Sequence, residues 1–156
     1  MEINSDYKSL LRGLNAAGAR YLVVGAYAVM AHTEPRYTKD LDIWIDRAEA
    51  NAQTIYRALA EFGAPLQGIT AADFTQPEVF YQLGVDPVRI DILTSLSGID
   101  FATAWERRLI VDFEGEPAAV LSREDVIAAK RAVGRPQDKL DVDTLLTPRM
   151  SKKPSK

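Results

Sequence analysis

DLDIWID, residues 40–46, decides how the chain is read. Polar and apolar residues alternate along it, the period of a β-strand, so Asp40 and Asp42 share one face while Leu41, Ile43 and Ile45 share the other. At a rise of roughly 3.4 Å per residue the two carboxylates stand about 7 Å apart. Strands are poor in aspartate, and like charges held at that spacing repel unless a cation sits with them. The pair reads as a cation-binding face or, alternatively, as a strand surface that carries two acids by chance.

VRIDIL, residues 88–93, alternates in the same way, with Asp91 pointing away from Ile90 and Ile92. If the two strands lie side by side, a spacing of about 4.8 Å brings Asp91 to the pair. Three carboxylates offer the hard oxygen ligands that magnesium takes. Such a cluster suits two ions about 3.5 to 4 Å apart, one at an attacking oxygen and one at departing phosphates.

Outward from these strands, residues 6–17 set Tyr7, Leu10, Leu11 and Leu14 at helical spacing and stop at Gly18. YLVV, residues 21–24, reads as a short buried strand; the turn at Gly25 leads into AYAVMAH, a helix that EPRYT breaks. Residues 48–62 form an amphipathic helix with Ile55, Ala58, Leu59 and Phe62 on its apolar side, ended by Gly63 and Pro65. Residues 66–77 show no period and receive no regular element. VFYQLG and VRIDIL, separated by Gly84, Asp86 and Pro87, form an antiparallel pair. Residues 101–107 make a short helix, and segments 109–113 and 117–120 a hairpin around Glu114 and Gly115. Ser122 caps a helix over residues 123–133, Gly134 stops it, and Pro136 opens a last helix to about residue 146. The expectation is one α/β domain over residues 1–147: a small mixed sheet flanked by helices, with a helical C-terminal section. A basic tail, residues 148–156, is expected to be disordered.

Composition narrows the chemistry. With no cysteine and one histidine, disulfides, thiolate sites and histidine-rich zinc sites are excluded, so any metal must rest on carboxylates. The net charge is −3, and setting aside the four cations of the tail leaves −7 for the body, which argues against a broad nucleic-acid surface. No leader-like start and no bilayer-length apolar run is present in the sequence, so the expectation is a soluble cytoplasmic protein with no membrane partner.

The order VVGAYAVMAH, EPRYTKDLDIWI, VRIDIL and DVIAAKRAVGRPQDKLD resembles the nucleotidyltransferase superfamily that includes DNA polymerase beta. Within it, the chain is similar to small bacterial proteins related to AbiEii toxins, over residues 20–146. The resemblance implies that fold and assigns Asp40 and Asp42 to the first two metal ligands and Asp91 to the third, often the general base. Gly25 and Ala26 stand where the superfamily opens a helix toward the triphosphate with glycine then glycine or serine; Ala26 lacks a serine's hydroxyl. Arg36 and Thr38 fill positions often held by arginine and by serine or threonine. KRAVGRPQDKLD matches a C-terminal pattern of the AbiEii-like group in which a lysine and a later aspartate matter, here Lys130 and Asp138.

Read from the residues alone, other roles stay open. Gly25 suits a tight strand-to-helix turn, Lys130 a solvated helix face, and Asp138 the dipole at the start of the last helix. Arg36 can face a phosphate or Glu34. His32 reads as a structural residue at a helix end, and Trp44 as core or as the rim of a nucleotide site. The implied reaction moves a nucleoside monophosphate from a nucleoside triphosphate to an acceptor with magnesium, two ions in all. The AbiEii likeness implies RNA, such as a tRNA end, as acceptor and an antitoxin protein as partner. A small-molecule antibiotic acceptor and a non-catalytic binding module of the same fold are the alternatives.

Overall fold

YLVV is buried at all four positions, as a strand covered on both faces must be, and it forms β1 (Tyr21–Val24) inside the sheet. The computed structural model describes residues 1–35, 38, 40–85 and 88–147; Arg36 and the basic tail lie outside them. On one side of β1 lies β2 (Asp40–Ile45), antiparallel to it. Beyond come β4 (Val88–Leu93), parallel to β2, and β3 (Phe80–Val85), antiparallel to β4. On the other side β6 (Glu116–Val120) runs parallel to β1 and carries β5 (Leu109–Phe113) antiparallel at the edge. The result is a six-stranded open mixed sheet in the order β3-β4-β2-β1-β6-β5. Its helices are α1 (Ser5–Ala16), α2 (Gly25–His32), α3 (Glu49–Phe62), α4 (Phe101–Glu106), α5 (Arg123–Val133) and α6 (Pro136–Leu146). This is the expected α/β architecture, with the late hairpin joined to the main sheet through β6.

The alternation of β2 holds as read. Leu41, Ile43 and Ile45 are fully buried, and each such side chain contributes roughly 1.5–3 kcal/mol by leaving water. Among the described residues one apolar core runs from Tyr7 in α1 to Leu145 in α6. No helix among them is long and apolar enough to cross a membrane.

One segment corrects the reading. Residues 66–77, assigned no regular element, contain a short 3-10 helix, Ala71–Thr75, which buries Phe74 completely. Thr70 and Asp73 close it with a reciprocal capping box, the Thr70 N–H donating to Asp73 Oδ2 at 2.8 Å. The ends of the last helices follow the expected chemistry. Ser122 Oγ accepts the Asp125 N–H at 3.2 Å, and Gly134 ends α5 in the left-handed conformation at φ 72°.

Two substitutions separate these contributions. Ile43→Ala should lower the unfolding free energy in urea by about 2–5 kcal/mol, and Ser122→Ala by about 1–2 kcal/mol, with the denaturant slope unchanged in both.

Candidate active site

β2 and β4 run parallel and in register, with Asp40 opposite Arg89 and Asp42 opposite Asp91. Alternate strand residues share a face, so three acids and one base form a four-cornered patch on a single face of the sheet. Arg89 Nη2 donates to Asp40 Oδ2 and to Asp91 Oδ2, 3.1 Å in each case. Asp91 is 3% exposed, and its Oδ1 is buried with no hydrogen-bond donor. Burial, then the charge of Asp91 and a carboxyl–carboxyl hydrogen bond with it, push the Asp42 carboxyl up from 3.8 to about 7; Asp40 adds to the rise and Arg89 opposes it. A shared proton or a cation would satisfy the pair.

Gly25 closes the other side of Asp42. Its φ is 67°, and a Cβ built there would overlap Asp42 Oδ2. Only glycine brings the backbone so close in that conformation. α2 begins at Gly25 without a side-chain cap, so the first-turn N–H groups and the positive end of the helix dipole lie at the carboxylate's edge. Ala26 follows within this turn.

A cleft of about 170 Å³ joins this corner to the C-terminal helices, for Gly25 and Asp42 line it together with Lys130, Arg135 and Asp138. Lys130 Nζ lies 3.3 Å from Asp138 Oδ1 and 3.2 Å from Asp141 Oδ2, and its side chain is 16% exposed, so it is not a solvated helix residue. Asp138 accepts the Arg135 N–H at the start of α6 and also pairs with Arg135 Nε at 2.8 Å. Arg135 first, then the backbone bond and Lys130, outweigh burial and hold Asp138 at about 2. Asp138 thus caps its helix and borders the cleft at once.

The remaining sequence candidates fall elsewhere. Thr38 Oγ1 lies 3.3 Å from both the carbonyl and the N–H of Asp40, and lines a different cavity of about 520 Å³ with Tyr27, Met30 and Pro35. His32 Nε2 sits 3.0 Å from the Leu121 carbonyl, a structural tie. Trp44 is buried, edge-on to Phe101 with ring centres 5.0 Å apart, and belongs to the core. Arg36 cannot be placed among the described residues. Reading the sequence missed Arg89, Arg135 and Asp141. Arg89 was legible, since it precedes Asp91 by two and must share its face.

As the side chains stand, no three acidic or histidine groups among the described residues enclose a common ion. The guanidinium of Arg89 lies between Asp40 and Asp91. The Asp42–Asp91 pair, with an orphaned buried oxygen on Asp91, still suits a hard divalent cation, and Asp40 is the next oxygen donor along the face.

Residues 1–148 match the family described as nucleotidyltransferase of unknown function, DUF6036. The chain belongs to that family. No curated protein matches the sequence. Among solved structures, the family member resembles a candidate nucleotidyltransferase from Thermotoga maritima, at TM-score 0.60 and 19% identity over 92% of this chain and 91% of that one. It also resembles the lincosamide antibiotic adenylyltransferase LnuA, solved with lincomycin, at TM-score 0.59 and 13% identity over 92% and 96%. The antibiotic-resistance factor ANT(2'')-Ia aligns at TM-score 0.59 and 13% identity over 90% and 80%. At these identities the likeness establishes a nucleotidyltransferase fold.

Two measurements probe the corner at Asp42. Its carboxyl is raised on folding, so the stability it contributes is complete below pH 3.8 and is lost as pH rises through about 7. In EDTA the melting temperature should therefore fall as pH rises from about 4 to about 7, and Asp42→Asn should remove that fall. Asp138 acts outside this window, its contribution being lost only as pH drops toward about 2. Gly25→Ala should cost about 1–3 kcal/mol in urea unfolding, because a side chain there is strained and meets Asp42.

Proposed function

We propose that the protein transfers a nucleoside monophosphate from a nucleoside triphosphate to an acceptor and releases pyrophosphate, within the cytoplasm. One observation carries this reading: a single cleft gathers the bare start of α2, Asp42, and Lys130 with Asp138, from segments far apart in the chain, and Asp91 adjoins Asp42 on the neighbouring strand. The N–H groups at Gly25 and Ala26 receive phosphate oxygens, as helix starts do. Lys130 adds a mobile positive charge, oriented by Asp138. Asp40, Asp42 and Asp91 would hold magnesium, two ions with the triphosphate in place. When bound, magnesium neutralises the triphosphate and makes the acceptor oxygen a better nucleophile. Asp91 takes the acceptor's proton as its oxygen attacks the α-phosphorus. The bond from the α-phosphorus to the bridging oxygen breaks, and pyrophosphate leaves with that electron pair. Positioning and charge neutralisation supply the catalysis.

The resemblance to AbiEii-like toxins supports RNA, such as a tRNA end, as the acceptor, with an antitoxin as the controlling partner. A second reading has a small cationic drug as the acceptor. The chain's net charge of −3 favours that reading, since it draws a cation and repels a polyanion. LnuA, which shares the fold, is an antibiotic adenylyltransferase.

Labelled nucleoside triphosphates and magnesium, offered with total RNA, the protein's own chain, an aminoglycoside and a lincosamide in parallel, test both. Label should appear on RNA and fall about a hundredfold or more in Asp42→Asn and Asp91→Asn while persisting in His32→Ala. Label on a drug instead selects the second reading. Labelling that survives in both aspartate variants, or appears on nothing, rejects nucleotidyl transfer by these residues.

A further inference from the structure

Arg89 belongs to no element of the reaction described above, yet it sits at its centre. One nitrogen, Nη2, bridges carboxylates from two strands at 3.1 Å each. Of the three side chains, Arg89 is 28% exposed, Asp40 30% and Asp91 5%, so the guanidinium approaches from the open side while Asp91 is fixed below. The Arg89 N–H donates to Tyr7 Oη at 3.1 Å, which anchors its backbone to α1 and leaves the side chain as the movable part.

Oxygen ligands of divalent ions lie roughly 2.0–2.6 Å from the ion. An ion shared by Asp40 and Asp91 therefore needs the space between their Oδ2 atoms, which Nη2 now fills. A guanidinium and a divalent ion cannot both occupy it, since two cations at that range repel and compete for the same oxygens.

Resting on the magnesium reading above, we propose that Arg89 is an internal counter-cation. It holds the ligand set together in the metal-free protein and must be displaced from Asp40 and Asp91 as the ion enters. Arg89 is thus a positioning residue that competes with the metal. Binding of an ion alone is held weak, because the ion must break two charge-assisted hydrogen bonds. Loading then depends on the triphosphate, which brings its own ion and offers the released guanidinium new oxygens. A merely structural arginine predicts the opposite sign: its removal would loosen the carboxylates and weaken metal binding.

The experiment titrates manganese, read from the free-ion electron paramagnetic resonance signal, into the full chain without nucleotide. Arg89→Gln should bind manganese roughly tenfold more tightly than wild type, because its carboxylates have lost their resident cation, while Arg89→Lys should stay near wild type. Circular dichroism confirms that each variant is folded. A second measurement uses wild type alone: the Arg89 Nε–H resonance, assigned by its loss in Arg89→Lys, should shift on adding magnesium. Equal or weaker manganese binding in Arg89→Gln, or an unmoved resonance when magnesium binds, overturns the competition and leaves the magnesium reading standing. Absence of manganese binding in wild type and variant alike, even with a nucleoside triphosphate present, overturns the magnesium reading itself.

Discussion

The carboxyl groups of Asp42 and Asp91 stand side by side where β2 meets β4, and burial opposes charging that of Asp42. Much of the architecture serves to keep them there. Parallel neighbours need a crossover, and α3, the 3-10 helix and β3 supply it, with α3 packed on α1. Ile43 and Ile92 back the acids on the opposite face, where both are buried. In front, Gly25 leaves room for Asp42, and Arg89 ties β2 to β4 through Asp40 and Asp91.

The second half of the cleft is built independently, from the last two helices. α5 and α6 pack on each other and on α2, so the helix that begins beside Asp42 also carries the C-terminal pair. Lys130, Asp138 and Asp141 form an ion cluster across that pair, with both acids buried. Buried ion pairs are weak sources of stability, since desolvation offsets most of their attraction. Placement is what such a cluster provides: it sets a lysine and a carboxylate at a fixed point opposite the start of α2.

Elements with a local cause were legible in the sequence. β2 and β4 declare themselves by alternation, α5 by Ser122 and Gly134, and α6 by Pro136. The 3-10 helix went unread because its box pairs threonine with aspartate, within a stretch lacking any apolar period. The site was legible as a set of acids and not as a charge balance. Alternation places Asp42 on a face, but only the strand direction and register bring it opposite Asp91 and put Arg89 between its neighbours. Asp141 was hidden for a similar reason, since its pairing with Lys130 depends on how the turn at Gly134 folds α6 back on α5, whereas Arg135 pairs locally with Asp138, three residues on in the same helix start.

The strict alternation of β2 reaches into how this gene can change. A one-residue slip along a strand exchanges its two faces. Deleting or inserting a single codon between Asp40 and Ile45 would put the residues on either side of the lesion on opposite faces, turning aliphatic side chains toward the cleft or a carboxylate into the apolar core. Such a lesion destroys chemistry and folding together. Drift in this stretch is therefore confined to substitutions, while length variation is pushed into the connections that flank it.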